Sequence, residues 1–294
     1  MAVSLLAALG RPRWWLLSLA AFLVRGGVLV LLLPIVSLPT TAGLVNAAAP
    51  TLVGFLFGGV SSSFLELLGI VGAAALVWLV GGGLLGAAID VALIADVAGD
   101  EELEAPLTVR PGATIRAFAA RFLTHLPTVG VLLWAAVRLV PAIYSELIAP
   151  GNPAVPVVLR VVARVPDVVI AVVVAWAACE AVGGLAVRRV VAGDRLAAAL
   201  GRAWRDVVRR PTTLATTIVT DAVVAAVILA ASGVSAVAWN GLRIVIVDGG
   251  AASEVWLALA IFSVSWLAGA WLLAIAAAWR QVAWTFEALR ERRS

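Results

Sequence analysis

From Val255 to Trp279 the chain runs 25 residues without a charged side chain, and Arg280 ends the run. As a helix this stretch reaches about 37 Å at 1.5 Å per residue, more than the ~30 Å hydrocarbon core of a bilayer. Lipid offers no partner to backbone amides, so a spanning segment is either a helix or a strand of a closed barrel. Barrel strands are short and alternate in polarity, whereas this run is continuous. Five further apolar segments, each interrupted by charge, place spans near 14–36, 67–95, 126–148, 168–187 and 212–239, with 255–279 as the sixth. Composition points the same way: 63% of the 294 residues are hydrophobic and 13% are charged, against about 25% charged in a soluble domain. The expected fold is all-α and polytopic, a single integral membrane domain over 1–294. Its six or so transmembrane helices form three hairpins linked by cytoplasmic interfacial helices. The first apolar run is longer than the h-region of a signal peptide, which predicts a retained first span.

All 21 basic residues are arginine, a usage that favours a high-GC bacterial genome. Sixteen arginines fall before span 1, between spans 2 and 3, between spans 4 and 5, or after span 6. The opposite loops hold three: Arg160, Arg164 and Arg243. By the positive-inside rule both termini are cytoplasmic, in a bacterial plasma membrane. The net charge of +4 is then a topology signal and a contact for anionic headgroups of the bilayer, and nucleic acid is not expected as a partner. Homo- or hetero-oligomers are both compatible with such a chain.

The cytoplasmic connectors resemble one another. VAGD occurs at Val97–Asp100 and again at Val191–Asp194, each after an even-numbered span. Arg121 is followed six residues later by Pro127, and Arg205 six residues later by Pro211. Each proline is expected to open the next span, as Pro12 does before span 1, because a first helical turn has no use for the missing amide hydrogen. Between them, Thr114–His125 and Arg195–Arg210 read as amphipathic helices lying along the interface. In the second, Leu196, Leu200, Trp204 and Val207 recur at helical spacing, opposite Arg202, Arg205 and Arg209, and Asp194 is placed to cap it. The hairpins share one orientation, unlike the inverted repeats of many transporters.

This layout over 97–211, an arginine-bearing interfacial helix, a proline and then a span pair, resembles bacterial six-helix integral membrane proteins of unknown function. It is also similar to the membrane domain attached to some glycerophosphodiester phosphodiesterases. The resemblance implies a six-span membrane fold. No phosphodiesterase catalytic domain is recognised in these residues, so that activity does not carry over.

Single charges stand inside the spans. Arg25 lies about 16 Å into span 1, where an unpaired arginine costs about 2.5–3.5 kcal/mol on insertion scales. Asp90, Arg138, Glu180 and Asp221 lie in spans 2 to 5 at broadly similar depth, and span 6 contributes no charge. These five residues are the candidate site, a buried polar cluster in which Arg25 pairs with Asp90 and Arg138 with Glu180, leaving Asp221 over. Two readings stand side by side: a structural set of pairs that fixes helix register, or a path for a proton, an ion or a polar solute.

Enzymatic chemistry is not expected. Without lysine there is no Schiff base or Ser–Lys dyad, and one histidine, His125, with one cysteine, Cys179, cannot build a multi-ligand metal site or a CxxC pair. No nucleophile elbow or HExxH is present. No cofactor, metal site or catalytic residue is assigned, and Cys179 reads as a small buried apolar residue. The acidic run Asp100–Glu104 reads as a solvated loop. The uncharged outer segment Ser37–Ser63, with Gly54–Gly58, reads as lying on the outer leaflet, and Val155–Asp167 as a second interfacial helix. Trp14, Trp15, Trp239, Trp256, Trp279 and Trp284 suit an aromatic belt.

Overall fold

The computed structural model describes residues 1–36, 61–100, 111–152 and 155–290. The expected features at Gly54–Gly58 and Glu101–Glu104 lie outside these residues. Among the described residues every regular element is helical: α1 (Ala2–Leu9), α2 (Pro12–Ile35), α3 (Ser62–Asp100), α4 (Ala113–Ile148), α5 (Val157–Arg164), α6 (Pro166–Val191), α7 (Leu196–Arg209), α8 (Pro211–Val247) and α9 (Ala252–Arg290). Six of them, α2, α3, α4, α6, α8 and α9, are long and apolar enough to cross a membrane. The protein is an all-α polytopic membrane protein.

The helices outrun the predicted spans. α3 has 39 residues, about 58 Å of helix, roughly twice a hydrocarbon core. Its last turns stay helical because Val91, Leu93, Ile94, Val97 and Ala98 are buried against other helices, and packing of an apolar face supplies most helical stability in a folded chain.

Three local expectations are corrected. Thr114–His125 is not a separate interfacial helix, and Pro127 does not open a span: both belong to the continuous α4, with Pro127 and Pro141 inside it. Ala113, Ala117 and Ala120 bury one face of its first turns, and no glycine or capping residue stops the helix before the proline. Membrane helices tolerate such prolines where neighbouring groups take up the freed carbonyl. Next, Asp194 does not cap α7. Its carboxylate takes two bonds from Arg202 Nη1, at 3.1 and 3.0 Å. Finally, the two VAGD copies differ in structure. Val97–Asp100 is the helical end of α3, whereas Val191–Asp194 stops α6: Gly193 takes φ +98°, and the amides of Gly193 and Asp194 donate to the carbonyls of Val190 and Arg189. That is a Schellman stop, for which glycine is the natural residue.

α2 is broken midway. Leu23–Gly27 form a wide π-type turn in which Gly26 has φ +103°, a conformation that costs other residues about 1–2 kcal/mol. Pro34 follows near the helix end, and the open carbonyl of Leu31 accepts a bond from Trp266 Nε1 at 2.8 Å.

The helices gather into two compact units. The first comprises Met1–Val36, Gly81–Thr124 and Glu180–Ser294; the second comprises Ser37–Val80 and His125–Cys179. In the first unit the end of α6, from Glu180 to Val191, is buried at every position. Val91 and Ile94 of α3, Ala117 and Ala120 of α4, and Ala199 and Ala203 of α7 pack into one core with it. α7 therefore turns Leu196, Leu200 and Val207 toward protein rather than lipid, and Trp204, expected on that apolar face, is exposed. α1 anchors beside α9, where Trp279 Nε1 donates to Ser4 Oγ at 3.3 Å.

In the second unit, Ala135 and Ala142 of α4 pack with Val157 and Val161 of α5 and Val168 of α6. The segment Val155–Asp167 holds a short helix, α5. It is fastened by Glu146, which accepts from Arg160 Nε at 2.8 Å, Arg164 Nε at 2.6 Å and the Gly151 amide at 3.3 Å. Arg138 is also here. It bonds Asp167 at 3.0 Å, with both side chains about half exposed.

Candidate functional site: a buried ion ladder

In the first unit the buried charges form a chain of alternating sign. Arg25 of α2 forks onto Asp90 of α3, Nη2 to Oδ2 at 2.5 Å and Nη1 to Oδ1 at 3.2 Å. Arg121 of α4 approaches Asp90 Oδ2 at 3.6 Å and bonds both oxygens of Glu180 of α6, at 2.9 and 2.8 Å. Arg280 of α9 reaches Glu180 Oε1 at 3.6 Å and Asp221 Oδ1 of α8 at 3.1 Å. The order is Arg25, Asp90, Arg121, Glu180, Arg280, Asp221. Each of the six long helices supplies one member.

Beside the ladder stands Arg188, one of the most deeply buried side chains in the molecule. Its bonds end on neutral acceptors: Gly184 O at 2.6 Å, Thr285 Oγ1 at 3.1 Å, and the carbonyl and side-chain oxygens of Gln281. Gln281 also donates to Asp90 at 3.4 Å, so one side chain joins Arg188 to the ladder. Trp284 supports both ends of this arrangement. The guanidiniums of Arg188 and Arg280 each lie 5.3 Å from its ring centroid, within the range of cation–π attraction, and its Nε1 donates to Thr220 Oγ1 at 2.7 Å. Trp284 is thus buried in the core, and so is Trp14, whose Nε1 donates to Asp96 at 2.7 Å. Neither belongs to an aromatic belt.

Between Asp221 and Arg243 lie 21 uncharged residues, and between Glu254 and Arg280 lie 25. These runs measure about 32 and 37 Å, close to the ~30 Å hydrocarbon core. Asp221 and Arg280, bonded to each other, close the two runs at the same end. The Cγ and Nε of Arg25 lie beside Gly86, where an added Cβ would meet them at 3.0 and 2.5 Å, while its Nη atoms end on Asp90, one turn further along α3.

Of the five residues singled out in the sequence, the structure brings Arg25, Asp90, Glu180 and Asp221 together. Arg138 does not pair with Glu180: it is held by Asp167 in the second unit. Asp221 is not left over, because Arg280 takes it, and the sixth span therefore does contribute a charge. Arg121, Arg280 and Arg188 were missed. In sequence they stand in the arginine-rich connectors, with Arg188 and Arg280 directly after predicted span ends. No group of His, Cys, Asp and Glu arranged to hold a metal ion occurs among the described residues.

Fold and ladder together define a polytopic integral membrane protein with buried Arg–carboxylate pairs. Comparison of the chain with protein-family models, curated proteins and solved structures finds no match.

Proposed function

We propose that this is a non-enzymatic integral membrane protein of a bacterial plasma membrane, with both termini cytoplasmic, serving as an accessory or scaffold subunit whose ion ladder clamps six spans together. One observation carries the reading: every ladder carboxylate is engaged by an arginine from a different helix. Buried paired charges specify register, whereas removing one partner strands the other and costs about 3–5 kcal/mol.

Asp221→Asn tests the reading, because Asp221 is the terminal member and has one ladder partner. A clamp predicts loss of folded protein, read by size-exclusion of the solubilised chain. Full folding with loss of solute uptake in proteoliposomes would overturn it. Orientation is tested with a membrane-impermeant maleimide in a Cys179→Ala background. Ser253→Cys should label in intact cells, and Arg205→Cys only after permeabilisation.

A second reading, a small-solute or proton-coupled transporter or permease subunit, is favoured by the break in α2. Discontinuous spans surround the binding sites of many transporters, and the turn at Gly26 adjoins Arg25.

A further inference from the structure

Beyond Gly26 the chain of α2 is loosely held. It continues as five residues of α-helix, Val28–Leu32, and three of a tighter helical turn, Leu33–Ile35, and helical pieces that short have little stability of their own. No residue of Val28–Leu32 is buried, and Leu29, Leu32 and Leu33 are exposed. Three contacts hold the piece. Leu31 packs against Val224, Leu273 and Ala276, Pro34 is buried, and Trp266 Nε1 donates to the Leu31 carbonyl at 2.8 Å. Before Gly26 the same helix is fixed. Arg25 is forked onto Asp90, and the ring of Phe22 covers Gly27 so closely that a Cβ there would strike it. Gly26 joins the fixed part to the loose one at φ +103°, with open space where its Cβ would stand.

Under the loose piece lies a groove. Val30, Leu31 and Pro34 form one wall, and Ser232 and Ser235 of α8 and Gly269 of α9 face them. Ser232 stands midway between Asp221 and Arg243, and Trp266 stands near the middle of the uncharged run from Val255 to Trp279. We infer that Val28–Ile35 is a strap, hinged at Gly26 and latched by Trp266, that opens and closes this groove. A segment with few buried contacts opens locally at low free energy, and a glycine at positive φ lets the chain change direction at no side-chain cost. Opening breaks the bond from Trp266 and lifts Leu31 and Pro34 from the groove, while Phe22, Arg25 and Asp90 stay in place. The strap is the kind of moving part the transporter reading needs, but it follows from α2, α8 and α9 alone and stands with either reading of the ladder.

The experiment uses the full chain in nanodiscs. Hydrogen exchange is followed by mass spectrometry at the amides of Val28–Leu33 and compared with Val223–Ile228 of α8. In the wild type the strap should exchange at least about tenfold faster. Trp266→Phe keeps a ring in the groove but removes the donor, and should speed strap exchange about fivefold further, the scale of one net hydrogen bond. Gly26→Ala meets no neighbour, so its effect is conformational: alanine disfavours positive φ and should also speed strap exchange. Gly69→Ala, on α3 with equally open space around it, should leave the strap unchanged. In a Cys179→Ala background, Val30→Cys with Ser232→Cys places one thiol on each wall of the groove, and joining the two with a bifunctional thiol reagent should slow strap exchange below that of the unjoined chain. A wild-type strap that exchanges as slowly as α8 overturns the inference, and so does a strap that neither Trp266→Phe nor the cross-link affects. Should Gly26→Ala fail to fold, Trp266→Phe and the cross-link decide. A fully folded Asp221→Asn chain defeats the clamp and leaves the strap standing.

Discussion

Gly184 lies under the indole of Trp284 so closely that a Cβ on it would stand 1.9 Å from Cζ3. Alanine at position 184 must therefore displace Trp284, and with it the ring that carries Arg188 and Arg280. The expected cost is about 3 kcal/mol from overpacking, measured by thermal unfolding of the solubilised protein. The double variant Gly184→Ala/Trp284→Leu should be less destabilised than the two single effects added together, because the smaller side chain makes room.

A related crowding at Gly86 reads the other end of the ladder. The Cβ of Gly86→Ala would stand 2.5 Å from Arg25 Nε, pushing the guanidinium off Asp90. We expect a loss of about 1–3 kcal/mol. Gly86→Ala should cost much less in an Arg25→Gln background, where the shorter side chain leaves the space open. Equal costs in both backgrounds would contradict the placement of Arg25.

The Arg25–Asp90 link itself is tested by a double-mutant cycle. Asp90→Asn alone strands Arg25, while Arg121 keeps Glu180, and should cost about 3–5 kcal/mol. Arg25→Gln alone should cost less, since Asp90 retains Arg121 at 3.6 Å and Gln281 at 3.4 Å. The double variant should fall short of additivity by about 0.5–3 kcal/mol, the range for residues in one network. Chemical unfolding of the four proteins in the same detergent measures it.

In the second unit Glu146 holds α5 through Arg160 and Arg164. Glu146→Gln leaves two guanidiniums facing a neutral amide and should free α5. Hydrogen exchange at the amides of Val157–Arg164 should then accelerate by at least about tenfold, equivalent to ~1.4 kcal/mol of local stability. Exchange unchanged from wild type would show that the apolar packing of Val157 and Val161 suffices.

The six helices were legible because an uncharged run long enough to cross hydrocarbon has few other folds open to it. The ladder was legible only where a lone charge interrupts such a run, as at Arg25, Asp90 and Asp221. Depth along a span does not say which way a side chain faces, so Arg138 and Glu180 looked matched although Arg138 turns to Asp167. Arg121 was hidden by Pro127, which reads as a helix start when only sequence is considered. Arg280 was hidden by its place at the end of a 25-residue uncharged run, where a charge is taken as the mark of water. The extent of packed protein beyond the predicted span ends, seen in the buried turns of α3 and α6, has no periodic signature distinct from a span, so the span ends fell short.

The order of the ladder in space differs from its order in the chain. Arg25, Asp90, Arg121 and Glu180 leave the ribosome in the sequence in which they bond, so each new helix can be matched as it arrives. Asp221 comes next and finds its partner only 59 residues later, when Arg280 enters with the last helix. Until then α8 carries a carboxylate with no ladder arginine to meet it, which makes the closing hairpin of α8 and α9 the step on which biogenesis of the bundle waits.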